Sequence, residues 1–338
     1  LKFINEKTGF LPNKIFISRK SRAKNDFFGN DDIKFWKFKF QLFNDAEKID
    51  LDYISIISQE IADQIFVTNK NDDHWLTNGL KTYIEIQYLE RFYTNYNLLG
   101  QLGDYKILGI KPLKYTYAAK LKLLERYGLP YQYIMAQNLD QKIDEKLQKL
   151  SNFNEFAISK FETGSLLNFI GEKMGKQNIE DFFKAYIKNN KNKILNKKDF
   201  LDQLTIKSGY SSEFLESFIE HKQRVNFKLK SFEKEGDQFK ITVSKNTTQN
   251  IPFKLETLND KNEKTTYWYD TNFKENPYTY VVPDLNTQKI TINDNYAFPE
   301  SNFRDNYLYT KGLFNNTKKI KLKFFTDNPN PEYHEIYM

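Results

Sequence analysis

The sequence predicts an α+β protein of more than one domain, in which a mainly helical part is followed by an all-β sandwich. Three observations predict this. The chain has 338 residues, which is enough for about two domains. Apolar residues recur at helical spacing over residues 52–222 and alternate with polar residues after that. The aromatic content of 16% is typical of a chain with a packed core and excludes a disordered one.

The helical part contains three well-marked helices after residue 155. The first carries apolar residues from Phe156 to Ile170, and we expect it to end at Gly171 or Gly175, because glycine is the favoured residue at a helix C-terminus. The second starts near Asn196 and stops at Gly209, and the third covers 214–219. Before the helical part, residues 1–50 alternate in short stretches and predict a few lead-in strands.

The β part consists of seven short alternating segments separated by turn residues such as Glu235-Gly236-Asp237. They lie at 225–229, 239–243, 253–255, 267–269, 278–282, 290–292 and 320–324. Several short strands at this spacing are typical of a sandwich of the immunoglobulin-like kind. The predicted domains are a β-containing lead-in at 1–50, a helical domain at 51–222, a β-sandwich at 223–326, and a linker at 327–338.

Composition limits the chemistry more than it limits the fold. The 51 Lys and Arg against 44 Asp and Glu give a net charge of +7, and the two signs are scattered without an arginine-rich arm. This pattern does not favour a nucleic-acid binder. The chain has no Cys and three His, at His74, His221 and His334. Thiolate zinc sites, disulfides and cysteine nucleophiles are therefore excluded, and no apolar run is long enough for a membrane-spanning helix.

Three motifs follow one another in the helical part. The first is Gln59-Glu60-Ile61-Ala62-Asp63-Gln64-Ile65-Phe66, the second is Trp75-Leu76-Thr77-Asn78-Gly79-Leu80-Lys81-Thr82-Tyr83, and the third is Phe161-Glu162-Thr163-Gly164. They resemble the gluzincin zinc aminopeptidases, the family of membrane alanyl aminopeptidase and leukotriene hydrolase. That family has His-Glu-Ile-Ala-His-Gln-Trp-Phe, Trp-Leu-x-Glu-Gly-x-Ala-x-Tyr and Tyr-Glu-Lys-Gly in the same order. The resemblance implies a thermolysin-like helical core followed by a β-sandwich.

The resemblance also implies where the chemistry would lie. In the family two His and one Glu bind zinc, and the Glu of the first motif is the general base that acts on zinc-bound water. The three ligand positions are here Gln59, Asp63 and Asn78, and only Glu60, the base position, is kept. Without a metal to lower its pKa, water is a poor nucleophile at neutral pH. The resemblance therefore implies that zinc is absent.

The other positions of the motifs have changed as well. The tyrosine that stabilises the oxyanion in the family corresponds to Phe161, which has no hydroxyl group, and the lysine corresponds to Thr163. No Gly-x-Met-Glu-Asn segment precedes residue 57, and the loop between Asp63 and Asn78 is about four residues shorter than in the family. We expect no active catalytic residues, with Glu60 and Phe161 as relics. The residues expected to line the former cleft are Gln59, Glu60, Asp63, Trp75, Asn78, Phe161 and Glu162.

Two alternatives to an inactive binding or scaffolding module stay open. In the first, the protein is an active zinc aminopeptidase with unorthodox ligands. Asp63, His74 and Glu60 would then hold a divalent ion, although we favour a surface position for His74 at the start of its helix and a solvated Asp63. In the second, the protein is a purely structural subunit whose cleft is filled by its own side chains.

The expected partner is a protein or a peptide held in the former cleft, and no nucleic acid. The Asn-, Lys-, Phe- and Tyr-rich composition resembles envelope proteins of Bacteroidota, so we expect an extracytoplasmic location, in the periplasm or at the cell surface, with an outer-membrane or envelope complex. Because the sequence begins at Leu1 without a signal peptide, we expect it to be a segment of a longer protein. The lysine-faced stretch 318–323 predicts a blunted edge strand, or alternatively a peripheral contact with anionic lipid.

Overall fold

The computed structural model describes residues 1–12, 14–17, 33–35, 38–69, 71–115, 119, 121–191, 193–270, 276–294 and 298–311. The chain folds into two compact units. Unit 1 consists of Leu1–Pro130 and Asp144–Phe200, and unit 2 consists of Tyr131–Ile143 and the chain from Leu201 onward. The units follow packing, whereas the domains predicted above divide the chain by element type. The domain bounds therefore stay a prediction.

The first half of unit 1 is built on two long helices. Its elements are α1 (Lys2–Thr8), the antiparallel strands β1 (Ile33–Phe35) and β2 (Phe38–Phe40), α2 (Asp45–Ile65) and α3 (His74–Phe92). Helix α2 begins at a capping box: the Asn44 side chain accepts from the Glu47 N–H at 2.8 Å, and the Glu47 carboxylate accepts from the Asn44 N–H at 2.9 Å. This pair satisfies two backbone donors that a helix start leaves open.

The later helices begin with α4 (Gly128–Ala136), whose residues from Tyr131 onward belong to unit 2. They continue with a π-helix (Glu155–Glu162) that runs into α5 (Thr163–Met174), then α6 (Lys176–Asn190), α7 (Lys197–Ser208) and α8 (Ser212–Glu220). Of the two predicted stops, Gly175 is the one at which α5 ends, and it has a left-handed φ of 89°. Gly171 is buried inside α5. Helix α6 was not among the three helices predicted.

Helix α3 is the centre of unit 1. Nearly every residue from His74 to Gln87 is buried, which happens only when a helix is covered on several sides. It packs against α2, α5 and the π-helix. These three partners and α3 itself carry all three sequence motifs, so the packing of unit 1 holds the motifs together.

The described residues of unit 2 form seven strands in two antiparallel sheets. The strands are β3 (Phe227–Glu235), β4 (Gln238–Lys245), β5 (Phe253–Asn259), β6 (Lys264–Tyr269), β7 (Tyr278–Pro283), β8 (Thr287–Ile292) and β9 (Tyr307–Tyr309). The sheet orders are β3-β4-β7 and β6-β5-β8-β9. The rings of Phe227 and Phe253 join the two sheets with centroids 5.2 Å apart. With helices and antiparallel sheets in one chain, the predicted α+β class is confirmed.

Some sequence predictions fall outside the described residues. These are the strand at 320–324, the lysine-faced stretch 318–323, the linker 327–338 and His334. Within the part of the chain that the structure describes, none of the helices has both the length and the apolar character to cross a bilayer.

Candidate functional site

The first motif lies in the second half of α2. Its buried side is apolar, with Ile61, Ala62 and Ile65 in the core, while Gln59 and Glu60 are half-buried and Asp63 is exposed. Residues four apart share a helix face, and here the Gln59 Nε2 donates a hydrogen bond to the Asp63 Oδ1 at 3.2 Å. The two positions that resemble the paired zinc histidines therefore bond to each other.

The second motif lies in the first turns of α3, and its polar residues point to the π-helix. The Asn78 Nδ2 donates to the Ser159 Oγ at 2.9 Å. The Ser159 Oγ lies 2.9 Å from the His74 Nδ1, and the His74 Nε2 lies 2.8 Å from the backbone oxygen of Glu145. All three side chains are buried.

The direction of these hydrogen bonds follows from the acceptor at one end. A carbonyl oxygen only accepts, so the His74 Nε2 carries the proton and donates to Glu145. In the neutral imidazole the Nδ1 accepts from the Ser159 hydroxyl, which itself accepts from Asn78. We call this Asn78–Ser159–His74 set the hydrogen-bonded chain. It uses both ring nitrogens of His74, which leaves neither as a metal ligand.

The placement of His74 corrects one interpretation of the sequence. The residue does start helix α3, as expected, but it is only 5% exposed and is not at the surface. Its two hydrogen-bond partners satisfy the imidazole inside the protein, and a buried polar group needs such partners to be tolerated. The proposed grouping of Asp63, His74 and Glu60 would need a nitrogen of His74 that the hydrogen-bonded chain already uses.

The third motif begins in the π-helix and ends in α5. Phe161 is buried, and its ring packs on Tyr127 with centroids 4.8 Å apart and on Phe156 at 4.4 Å. Glu162 and Thr163, the next residues, are also buried. The position that resembles the oxyanion tyrosine is thus part of an aromatic cluster, and it has no hydroxyl group to donate.

Two glycines of the motifs lie where α3 and α5 approach most closely. A methyl group on Gly79 would overlap the Cγ2 of Thr163, and one on Gly164 would overlap the Cβ and Cγ2 of Thr82. Each glycine faces a threonine of the other helix, so the crossing interlocks. Only glycine has the small volume that this approach needs.

A buried ion pair lies one turn further along α3. The Lys81 Nζ is 3.2 Å from the Glu85 Oε1, with both side chains about 2% exposed or less, and the Tyr127 hydroxyl donates to the Glu85 Oε2 at 3.2 Å. Arg126 is fully buried, with its guanidinium 5.7 Å from the centre of the Tyr127 ring. This cluster was not predicted from the sequence, because Lys81 and Glu85 have the spacing of an ordinary surface ion pair. Lys81 stands where the family pattern has Ala.

One carboxyl group near the start of α3 has a shifted pKa. Burial raises the pKa of Asp73, the residue before the helix, while the hydrogen bond from the Asn69 N–H opposes that shift. The Asp73 side chain does not cap the helix. It therefore stabilises the preceding turn rather than the helix start.

The fit of these residues to a catalytic zinc ion is poor. Catalytic zinc takes imidazole nitrogens and carboxylates at three positions and keeps a fourth position for water. Here two of the three positions carry amides, one of which donates to Ser159 and the other to Asp63. Over the described residues, no group of three His, Asp or Glu is arranged to hold a metal ion. The expected absence of zinc stays a prediction, and no reaction step is derived through a metal.

The seven expected cleft residues divide into three that are at least partly exposed and four that are buried. Gln59, Glu60 and Asp63 reach the surface of α2, at least in part. The other four are in the interior of unit 1: Trp75, Asn78, Phe161 and Glu162. The elements that carry them pack on one another. Their role as the lining of a cleft stays a prediction.

Comparison with known proteins shows similarity in fold. No protein family matches the sequence, and no curated protein matches it. Among solved structures, the aminopeptidase A of Legionella pneumophila in complex with aspartic acid is similar, with a TM-score of 0.51 and 10% sequence identity. The fold is aminopeptidase-like. The match covers 77% of this chain but 27% of the Legionella protein, so this chain spans about a quarter of that enzyme.

Proposed function

We propose that this chain is a catalytically inactive, aminopeptidase-like module that serves as a binding or scaffolding part of a cell-envelope protein or complex. One observation carries the proposal: the side chains at the three ligand positions are engaged with protein groups, Gln59 with Asp63 and Asn78 with Ser159. In finer terms the helical part is a degenerate gluzincin core of the thermolysin-like kind, and unit 2 contains an immunoglobulin-like sandwich.

The chemistry of hydrolysis supports the same proposal. A zinc peptidase lowers the pKa of its bound water to about 7, which makes hydroxide available at neutral pH. Glu60 on its own would have to deprotonate ordinary water, whose pKa is far above neutral. Phe161 offers no donor for the negative charge that develops on the substrate oxygen, and loss of one such donor commonly costs a factor of about 10²–10³. The first change removes the nucleophile at neutral pH, and the second weakens any residual reaction further.

The location and partner belong to the proposal too. The partner is a protein or peptide rather than nucleic acid, because the charges of the chain are mixed and only mildly basic. An extracytoplasmic location, periplasmic or at the cell surface with an outer-membrane assembly, rests on the resemblance in composition to Bacteroidota envelope proteins. A fold can persist after its chemistry is lost. The surface of α2 that carries Gln59, Glu60 and Asp63 would then keep a binding role.

The test measures zinc and activity together. The purified chain is expected to hold no stoichiometric zinc after incubation with the metal, and to hydrolyse no aminoacyl reporter substrate above the background. The matched control is Glu60→Gln, which should behave in the same way as the parent. Stoichiometric zinc, together with hydrolysis that Glu60→Gln abolishes, would establish the active metallopeptidase instead and overturn the proposal.

A second candidate is a purely structural subunit with a filled cleft, and the aromatic cluster favours it. Phe161 is 1% exposed between Tyr127 and Phe156. The variant Phe161→Tyr restores the family residue and separates the two candidates. In a filled cleft the new hydroxyl group is buried without a partner and lowers the free energy of unfolding by about 1–3 kcal/mol. In an open cleft water solvates it, and the free energy of unfolding is unchanged.

A further inference from the structure

The most exposed large apolar residue of the described chain, Leu108, lies with two other exposed aliphatic residues at the tip of one loop of unit 1. Leu108 is 98% exposed, Ile110 is 62% exposed and Ile107 is 56% exposed. Scattered exposed apolar residues are normal, but a contiguous group of three needs an explanation. We call residues 105–111 the tip.

The tip forms a tight hairpin that is closed by its own backbone hydrogen bonds. The Ile107 N–H donates to the Ile110 oxygen at 2.8 Å, and the Ile110 N–H donates to the Ile107 oxygen at 3.0 Å. Leu108 and Gly109 between them both have positive φ, at 50° and 82°. These are the features of a two-residue hairpin turn of type I′. Below it, the helical turns Gly100–Asp104 and Pro112–Tyr115 pack together, and Lys111 bonds to Asp104 at 2.6 Å.

Two backbone hydrogen bonds close the base of the loop. Leu98 donates its N–H to the Leu121 oxygen at 2.8 Å, and Leu123 donates to the Tyr96 oxygen at 2.8 Å. The chain therefore leaves and returns at one point, and the tip lies midway between. Backbone hydrogen bonds thus close the loop at its base and at its tip.

Leu108 is unfavourable at this position for local reasons. A type I′ turn prefers Asn followed by Gly, because a residue with a Cβ pays a steric cost at positive φ that Asn tolerates best. Leu108 has that cost and in addition exposes its whole side chain to water. Strain and exposure at one residue indicate a role outside the folding of the unit.

The residues around the apolar tip show which surface it would meet. Tyr105, at 44% exposure, and the exposed Lys106 precede it, and the exposed Lys114 follows. Tyrosine and lysine are the residues found at the level of lipid headgroups, where lysine is attracted to anionic lipid. Aliphatic side chains at the apex with Tyr and Lys directly below match the layers of a membrane surface. A convex tip also needs no complementary pocket in a fluid bilayer.

We propose that the tip is a peripheral membrane anchor, in which Ile107, Leu108 and Ile110 insert into an anionic lipid surface while Lys106 and Lys114 contact the headgroups. A single small apolar loop gives reversible attachment, because stable anchoring takes several such elements. The inference is independent of the proposed loss of peptidase activity. It concerns a different segment from the lysine-faced stretch 318–323.

The test uses a variant that folds at least as well as the parent. Leu108→Asn creates the Asn-Gly sequence that a type I′ turn prefers, so the free energy of unfolding should be unchanged or higher. Binding of the full chain to vesicles of equal parts phosphatidylcholine and phosphatidylglycerol, measured by co-sedimentation, should fall by about tenfold or more. Ile206→Gln is the matched control, since Ile206 is 78% exposed elsewhere, and it should bind like the parent.

The charge part of the proposal has its own test. Lys106→Ser and Lys114→Ser should each weaken binding to the same vesicles by about fivefold. Binding should also fall with added salt, and be weakest on pure phosphatidylcholine. The same affinity for neutral and anionic vesicles would overturn the assignment of an anionic surface.

The depth of insertion is measurable because the chain has no Cys of its own. Leu108→Cys, labelled with an environment-sensitive fluorophore, should show a blue-shifted emission on anionic vesicles, and the labelled Ile206→Cys should not. If Leu108→Asn leaves vesicle binding unchanged, or if the label at position 108 stays in water while the chain binds, the tip is not an anchor. Binding of the tip to a soluble protein without any vesicle binding would assign it to a protein partner and overturn the proposal as well.

Discussion

Asn78 and Gly79 are neighbours in α3, but Gly79 matches the aminopeptidase pattern and Asn78 does not. Gly79 keeps the residue of the pattern, as does Gly164 in α5, and the two glycines allow α3 and α5 to interlock against Thr163 and Thr82. Asn78 replaces the ligand Glu of the pattern and bonds to Ser159. The two packing glycines match the pattern, whereas the residues at the three zinc-ligand positions differ from it, and Glu60 at the base position still matches. A fold can persist on its packing residues without the residues of its chemistry.

The largest effect is expected at the buried ion pair of α3. Lys81→Met leaves the Glu85 carboxylate buried without its cation and should lower the free energy of unfolding by about 3–5 kcal/mol, measured by urea titration. The double variant Lys81→Met/Glu85→Gln removes the uncompensated charge and should recover much of that loss. If Lys81→Met is as stable as the parent, the buried pair is not part of the packing that α3 depends on.

The glycine crossing should give the next largest effect. Gly79→Ala forces a methyl group onto Thr163, and overpacking of this kind costs about 1–3 kcal/mol. Adding Thr163→Ser removes the Cγ2 atom that the methyl group meets, so the double variant should recover stability. The control is Gly103→Ala, because a Cβ at Gly103 meets nothing within 4 Å. Equal stability of Gly79→Ala and Gly103→Ala would contradict the role assigned to the crossing.

The buried Lys245 of unit 2 should make the free energy of unfolding depend on pH. Burial lowers the pKa of Lys245 from 10.5 to about 8. Below pH 8 the folded state carries a poorly solvated charge, and stability should rise as the pH increases from about 8 to 10.5, because the folded state then releases its proton first. Lys245→Met should raise stability at pH 7 by about 1–2 kcal/mol and remove the rise. Unfolding titrations at pH 7 and 9.5 measure both, and an unchanged rise in Lys245→Met would assign it to another group.

The smallest effect is expected at the retained base position. Glu60 is half-buried at the surface of α2, and substitutions at such places usually change stability by less than about 0.5 kcal/mol. Glu60→Gln should therefore leave the urea midpoint unchanged. A large loss of stability would show that Glu60 is retained for packing, which would remove the distinction drawn here between the two sets of residues.

Local periodicity was enough to predict much of the fold. The motifs lie on α2, α3 and the joined π-helix and α5, and six of the seven alternating segments fall on β3 to β8. Each of these follows from apolar spacing within a window of ten to twenty residues. The missed helix α6 has the same signal, with Ile179, Phe182, Phe183 and Tyr186 at helical spacing and buried. Gly175, with its positive φ, turns the chain between α5 and α6.

The candidate site was less accessible to sequence reasoning. The partners of His74 are 85 and 71 residues away, at Ser159 and Glu145, and no local pattern indicates such contacts. The α1 helix at the start of the chain is seven residues long, too short for a clear period. Lys81 and Glu85 have the spacing of an ordinary surface ion pair, and only the packing around α3 shows that they are buried.

The most direct test of the central claim, that the ligand residues were replaced while their framework remained, is the zinc stoichiometry of two proteins side by side. The parent chain should bind no zinc. The folded variant Gln59→His/Asp63→His/Asn78→Glu, which returns all three ligand residues to the framework of α2 and α3, should bind about one zinc ion per chain. A stoichiometric zinc ion in the parent, or none in the folded variant, would contradict the account.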